Sequence, residues 1–495
     1  MCNGMRYNWH YRMEGGPGTQ DRELPCPRGK LLGGCSSVNG TVYIRGHASD
    51  YDDWAALGNA GWSYADVLPA YLRHERRHGA ASPLHGDQGE LHVQRPKANH
   101  ALAHAFVAAA TEAGHVRNDD FNGASQDGFG LYELNQRDGV RQSSSRAFLH
   151  PVLHRDNLTV LTDTRVERLL FSAARAEGVT VLQHGERRAL RATREVILAG
   201  GTINSAHLLL LSGIGPQRQL RQFGIPVTRD LPGVGGNLQD HPTIFLAVED
   251  PSGESYALSA RSLPRVLLSP LSYLARRRGM LASNAAEAGG FLRTLPHLAR
   301  PDIQMTLLVG LKDNARTIPR RHGYVLLVQL LRPLSRGSLE LASADPLVAP
   351  RIQANFLEHA QDLETLARGL QAARRIVASP AMARYSGHEI EPGPQVSTSG
   401  DIEAAIRRQV LTAYHPVGTC KMGPASDPFA VVDPQLRVHG IDGLRVADAS
   451  IMPTIIGGNT SAPAMMIGER CAEFILRPAA QPATAPSSAD SLAFA

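Results

Sequence analysis

The sequence predicts a chain of two lobes, one α/β and doubly wound, the other α+β with a mixed or antiparallel sheet and helices. Four stretches carry this expectation. Val196-Ile197-Leu198-Ala199 is a buried-strand run closed by Gly200 and Gly201, after which Thr202 or Asn204 can cap a helix whose apolar stretch ends at Gly213. Strand, glycine turn and helix N-terminus make the βα unit on which phosphates settle, because the free amides of a first helical turn point at the ligand. From about Pro242 to Arg408 the pattern changes. Strand-like Gly323 to Leu331 and the run Arg336 to Leu341 suggest a sheet, and Ala360 to Ala378 has helical periodicity.

Composition bounds the function classes. A chain of 495 residues has room for roughly two to four domains and a large core. Hydrophobic residues at 43% and charged residues at 20% are ordinary for a soluble globular protein. The formal charge of +5 comes from arginine, since lysine occurs only at 30, 97, 312 and 421. The arginines are scattered, as at Arg276 to Arg278 or Arg320 and Arg321, without an aromatic-interleaved stripe, which argues against nucleic-acid binding. Five cysteines (2, 26, 35, 420 and 471) with no CxxC pair suggest neither zinc nor a disulfide framework and fit a reducing compartment. Apolar runs such as Leu208 to Leu211 and Tyr324 to Val328 are far shorter than the roughly 20 residues a membrane span needs. The residues after Met1 hold no hydrophobic signal core. The expectation is a cytoplasmic location, with a peripheral contact at the cytoplasmic membrane face left open.

In chain order, the first thirty residues read as irregular or edge structure leading to Pro27-Arg28-Gly29-Lys30. The string Leu31 to Gly46 (LLGGCSSVNGTVYIRG) follows. Adjacent glycines followed by small residues let backbone approach a bulky ligand, and Asn39-Gly40-Thr41 could start a helix beside it. Read without further context, the glycines point rather to a turn between strand and helix. The string closely resembles the first signature of the glucose-methanol-choline (GMC) family of flavin oxidoreductases. The resemblance continues through His47 to Trp54 and Gly61 to Tyr64, and looks most like the choline dehydrogenase and alcohol dehydrogenase branch. Turn-rich Asp119 to Gly130 and Gln136 to Leu149 precede a strand pattern at Asn157 to Val166. Glu195 to Gly215 resembles the second family signature, and Gly233 to His241 (GVGGNLQDH) also resembles the family. Asp240 and His241 tempt one towards a metal, but two adjacent ligands without others nearby read as a structural turn. Leu444 to Ser450 is a strand running into Asp448, and Asn459 to Phe474 is helical in character.

The resemblance implies a Rossmann-like FAD-binding lobe and non-covalent FAD, since the region where some relatives carry a flavin-bonding histidine reads Ser36-Ser37-Val38-Asn39. It assigns Leu32, Gly33, Gly34, Asn39, Gly40, Thr41, Val42, Val166, Asp448, Ala449 and Thr460 to the cofactor. In Thr412 to Gly423 (TAYHPVGTCKMG), His415 is the candidate base, suited by titration near neutral pH to take a hydroxyl proton, and Asn459 would help to hold the alkoxide. A hydride would then pass from the alcohol carbon to flavin N5. Glu287 would line the substrate pocket and could meet the ammonium of choline. The expected activity is oxidation of a primary alcohol to an aldehyde. Choline dehydrogenation, a hydroxynitrile lyase on the same scaffold and a non-catalytic remnant are the alternatives. The electron acceptor is open among a quinone, a dye-like carrier and oxygen.

No GxGxxG occurs anywhere in the chain; Gly213-Ile214-Gly215 and Gly233-Val234-Gly235 lack the third glycine. By the resemblance, the first βαβ unit should lie upstream of Met1, and the expectation is an N-terminally truncated FAD lobe. The expected organisation is a partial FAD lobe over 1–60, a cap segment over 61–150 and FAD lobe again over 151–245. A substrate lobe over 246–408, FAD lobe with the catalytic pair over 409–476 and a disordered tail over 477–495 complete it.

Overall fold

The computed structural model describes residues 6–311 and 319–476; the tail expected to be disordered, 477–495, lies outside the described residues. The chain opens with an antiparallel pair, β1 (Tyr11–Met13) and β2 (Leu24–Cys26). Helices α1 (Ala48–Ala56) and α2 (Tyr64–His74) follow. Each is capped at its start: the His47 ring accepts from the Ser49 amide, and Ser63 and Asp66 exchange bonds as a capping box. These side chains satisfy amides that a first helical turn leaves without partners. Tyr51, Trp54, Val67 and Tyr71 are fully buried, and with Trp62 they form an aromatic core between the two helices. Trp54 Nε1 donates to the Thr454 carbonyl at 3.0 Å and Trp62 Nε1 to the Pro434 carbonyl at 2.8 Å, so this core ties the start of the chain to its end.

Next come α3 (Ala101–Glu112), β3 (Gly128–Leu131) and the antiparallel unit of β4 (Thr164–Ser172), β5 (Arg175–Gln183) and β6 (Glu186–Arg191). β7 (Val196–Leu198) leads through Gly200 into α4 (Gly201–Leu211). The middle of the chain supplies β8 (Pro242–Glu249), α5 (Leu263–Arg276), β9 (Ala288–Leu292), β10 (Ile303–Leu308) and β11 (Gly323–Leu330). α6 (Ala360–Val377), β12 (Glu389–Glu391) and α7 (Ser399–Gln409) follow. β13 (Leu411–Thr412), β14 (Leu444–Val446) and α8 (Ser461–Leu476) end the described chain.

β7 and β14 run parallel in the register Val196↔Leu444 to Leu198↔Val446, the strand–turn–helix unit expected from the sequence. Among the described residues this sheet has two strands, and Ile197 of β7 is 44% exposed. The larger sheet is antiparallel throughout, in the order β12-β8-β11-β10-β9-β3, with β13 also pairing with β8. Its central strands β9, β10 and β11 are buried almost from end to end, as expected when α6 covers a face that would otherwise alternate with solvent. The sheet crosses the expected boundaries: β3 comes from the 61–150 segment and β13 from the 409–476 segment.

Three local expectations are corrected. Asn39-Gly40-Thr41 starts no helix, because the Asn39 side chain accepts the Thr41 amide at 3.0 Å and Thr41 sits at φ 58°. Such a local bond competes with helical pairing, and α1 begins only at Ala48. The strand expected over Asn157 to Val166 starts at Thr164. The Arg336 to Leu341 run forms only Ser338–Glu340, paired with Arg351–Gln353 outside the large sheet.

Arg45 and Glu75, both fully buried, form an ion pair under α2, in which Glu75 also accepts the Gly86 amide at 2.9 Å and Arg45 donates to the Leu84 carbonyl at 2.7 Å. Removing one partner leaves an uncompensated buried charge, so Glu75→Ala is expected to cost about 3–5 kcal/mol in chemical denaturation, whereas Arg45→Met/Glu75→Leu costs less. A double variant as unstable as the single one would show that packing, and not charge, sets the cost.

Candidate active site

The register of two strands builds the site. β8 pairs with β13 through Pro242↔Thr412, and the Ala413 amide donates to the His241 carbonyl at 3.0 Å. The residues just outside that ladder, His241 and His415, are thereby brought together across 174 positions of sequence. Asp240 fixes them: its buried carboxylate accepts the His241 amide at 2.8 Å, the His415 amide at 2.9 Å and the Thr412 hydroxyl. The two imidazoles meet edge to face, with centroids 5.3 Å apart.

A run of hydrogen bonds determines the tautomers. His241 Nε2 lies 3.1 Å from the Ile456 carbonyl, which can only accept, so that nitrogen carries a proton. A neutral imidazole has one N–H, which leaves His241 Nδ1 bare. It faces His415 Nδ1 at 3.0 Å, so His415 donates there, and its Nε2 is left unprotonated as an acceptor. Asn459 Nδ2 donates to that nitrogen at 3.2 Å. The Asn459 amide is itself oriented by Gln304 of β10, whose Nε2 donates to Asn459 Oδ1 at 3.2 Å. Tyr132 OH holds Gln304 Nε2 at 3.0 Å, so the chain of contacts ends in the core of the sheet.

Burial keeps both rings neutral. It pulls His415 down to about 3, helped by the Arg28 guanidinium, which donates to the Tyr414 carbonyl at 2.6 Å. His241 is also drawn well below the usual histidine range, by burial first and then by its neighbours His415 and Arg332, beside which a second positive charge is disfavoured. Asp240 moves the opposite way, pushed up to about 6 by burial against the bonds from Thr412, His415 and His241.

The residues assigned to FAD surround this cluster in part. Leu32, Gly33 and Gly34 form a turn, with Gly33 and Gly34 at positive φ, and Leu32 is exposed. Asn39 Nδ2 donates to Ser461 Oγ at 3.3 Å, which ties this loop to the N-terminus of α8 beside Asn459 and Thr460. A Cβ built on Gly34, Gly40 or Gly201 meets no atom within 4 Å, so backbone at all three positions faces open space. Asp448 accepts the Gly201 amide at 2.9 Å and the Ser205 hydroxyl at 2.5 Å, and the Ala449 carbonyl accepts the Gly418 amide at 3.2 Å. The amides of Ser461 and Ala462 find no acceptor among the described residues, as at any bare helix start. This donor set, with bare glycine backbone beside it, fits a flavin dinucleotide. Two assigned residues lie differently from the rest. The Val42 side chain packs in a small core with Leu134 and Phe291, and Val166 stands on β4 paired with Val181, its side chain exposed.

Glu287 is corrected from substrate contact to structural support. It is fully buried, its carboxylate accepting from the His100 amide at 2.9 Å, from Tyr256 OH at 3.3 Å and from Ser283. Asp240 and His241, read from sequence as a turn, instead orient the candidate base; Gln304 gave no sequence signal, being one glutamine in a strand. The adjacent Asp240-His241-Pro242 run is the signal in the sequence that marks them.

A glycine-lined dinucleotide cradle beside a neutral imidazole and an amide defines a flavin-dependent oxidoreductase. The chain belongs to the GMC oxidoreductase family, whose N-terminal model matches residues 12–243 and whose C-terminal model matches residues 333–468. It is 42% identical over 482 residues to an oxygen-dependent choline dehydrogenase of Rhizobium johnstonii, covering 95% of this chain and 86% of that one. It is also 42% identical over 482 residues to an alcohol dehydrogenase [acceptor] of Pseudomonas putida, covering 96% and 87%. Pyridoxine 4-oxidase from Mesorbium loti superposes with a TM-score of 0.86 at 29% identity, covering 96% of this chain and 90% of that one.

The lowered histidines make stability depend on pH with a defined sign. Below the ordinary value of 6.5 the unfolded chain protonates these rings, while folded His415 stays neutral down to about 3. The unfolded state then binds more protons, so this contribution is present above pH 6.5 and is lost as pH falls through that window. Each buried imidazole contributes a loss on the order of 1 kcal/mol per pH unit between about pH 6 and 4. Asp240, which takes up its proton in the folded state first, opposes this loss over the same window, so the measurement is the difference in denaturation midpoint between the native chain and a His415 variant. His415→Asn should lose less over the same range; equal acid sensitivity would contradict a buried neutral His415.

Proposed function

We propose that the chain oxidises a primary alcohol to its aldehyde, with His415 as the base. The single observation that carries this reading is the bond sequence Ile456–His241–His415–Asn459, which leaves His415 Nε2 bare beside an amide donor. An alcohol oxygen that takes over the bond between them gives its proton to Nε2 and accepts a bond from Asn459 Nδ2. His241 holds the ring in the tautomer that can take that proton. The cofactor would be held by the loop Leu32, Gly33, Gly34, Asn39, Gly40 and Thr41, by Asp448 and Ala449, and by Thr460 at the start of α8. When bound, FAD supplies the two-electron acceptor for the hydride leaving the alcohol carbon.

Choline is a second reading, supported by the 42% identity to a choline dehydrogenase. An uncharged alcohol is favoured by the contacts of the pair: Glu287 is committed to His100, Tyr256 and Ser283, and the carboxylate that touches His415, Asp240, is buried in its own bonds. Comparing kcat/KM for choline and its uncharged carbon isostere separates the two. The isostere is expected to match or exceed choline, and a tenfold or greater preference for choline would move the assignment.

His415→Ala is expected to lower the rate of anaerobic flavin bleaching by alcohol by a factor on the order of 10² or more, with flavin content unchanged. An unchanged rate would remove His415 from the reaction, and cyanohydrin cleavage without bleaching would point to a lyase. His241→Phe, which deletes the acceptor for His415 Nδ1–H, should lower kcat by about tenfold or more with KM little changed. A change confined to KM would assign His241 to substrate binding.

A further inference from the structure

α5 is built inside out. Its inner side is small and largely polar, with Ser262 and Ser269 buried and Val266, Ser272 and Tyr273 half-buried beside them. Its leucines face outward. Leu263, Leu267, Leu271 and Leu274, spaced as one stripe along a helix, are between 45% and 72% exposed, and Leu268 beside them is 60% exposed. Single exposed leucines are ordinary on a soluble protein, but five on one helix are a contiguous apolar surface. No other helix described here carries such a face.

The charged residues along this stretch of sequence are of one sign. Arg261, Arg265, Arg276, Arg277 and Arg278 flank or follow it, and residues 255–286 contain no Asp or Glu. Among the described residues none of the five is held in an ion pair. Arg265 donates to the Glu254 backbone carbonyl at 2.7 Å, and Arg277 lies over the Tyr273 ring at 4.8 Å, so neither contact is to a carboxylate. A second copy of the chain would set arginine against arginine across this surface. A leucine stripe rimmed by cations is complementary instead to acyl chains beneath anionic headgroups.

We propose that α5 is a membrane-docking helix, lying in the interface of an anionic lipid surface with its leucine stripe in the acyl region and its arginines among the headgroups. The inference does not rest on the alcohol chemistry. It does place lipid close to the cofactor loop. α5 is followed by the Met280–Ala282 turn, and Asn284 just beyond donates to the Gly40 carbonyl at 2.7 Å. An electron acceptor dissolved in the bilayer, such as a quinone, would arrive near that loop.

The test is flotation of the full chain with phosphatidylcholine vesicles containing phosphatidylglycerol, and with phosphatidylcholine alone. The native chain should bind the anionic vesicles at least about tenfold more tightly, with binding weakened by salt. Leu267→Glu/Leu271→Glu/Leu274→Glu should abolish flotation while circular dichroism and the melting transition stay native, because these side chains face solvent. Arg276→Gln/Arg277→Gln/Arg278→Gln should reduce both the binding and its salt dependence. The proposal is overturned if the native chain ignores anionic vesicles, or if the glutamate variant floats equally well. It is also overturned if the native chain forms a dimer or captures an acidic protein through the leucines without binding lipid.

Discussion

The buried carboxylate of Asp240 is the constraint on which the site depends. It takes the amides of His241 and His415 on one side chain and closes the end of the β8–β13 ladder with Thr412. A one-residue slip in that ladder would turn these residues to opposite faces, so the register and the catalytic contact are one requirement. Burial raises the carboxyl to about 6, a measure of how strongly this location opposes charge. The carboxylate is kept there because two backbone amides and a hydroxyl reach it, and their removal would leave an unpaired acid in the core.

The rest of the site is arranged around neutrality. Two imidazoles and two amides line up from Ile456 to Gln304, and each fixes the orientation of the next. A resting base near 3 is weak when the site is bare. Its strength comes with the ligand, since negative charge developing on an oxygen beside Nε2 favours the protonated ring by direct attraction. Arg28 works against protonation through space, yet its own donors are directed at the Tyr414 and Pro27 carbonyls, which hold the His415 loop in place.

Much of this was legible in the residues and some of it was not. The β7–Gly200–α4 unit was readable because a buried strand, a glycine pair and an apolar helix are all local patterns. His415 just after β13 and Asn459 just before α8 both stand in strings that resemble the family. The partnership of His241 was hidden, because it arises from strand pairing across 174 residues, which no local period reveals. Glu287 misled for a related reason: a carboxylate among alanines suggests an exposed or functional charge, and its buried partners His100 and Tyr256 come from distant segments. Asn39-Gly40-Thr41 shows the limit of capping rules, where the same Asn bond that can start a helix instead closed a turn.

The antiparallel sheet draws β3 from before the second βα unit and β13 from after the substrate lobe, and Trp54 and Trp62 fasten the start of the chain to segments near its end. Neither lobe therefore owns a continuous piece of sequence. Recombination between relatives that exchanges only residues 246–408 would transplant the middle strands of the antiparallel sheet while leaving β3, β13 and the start of β8 in the recipient. Chimeras made this way inherit a mixed sheet, and their success depends on matching side chains across the β9–β3 pairing and across the start of the β8–β11 pairing, where the parental sequences meet.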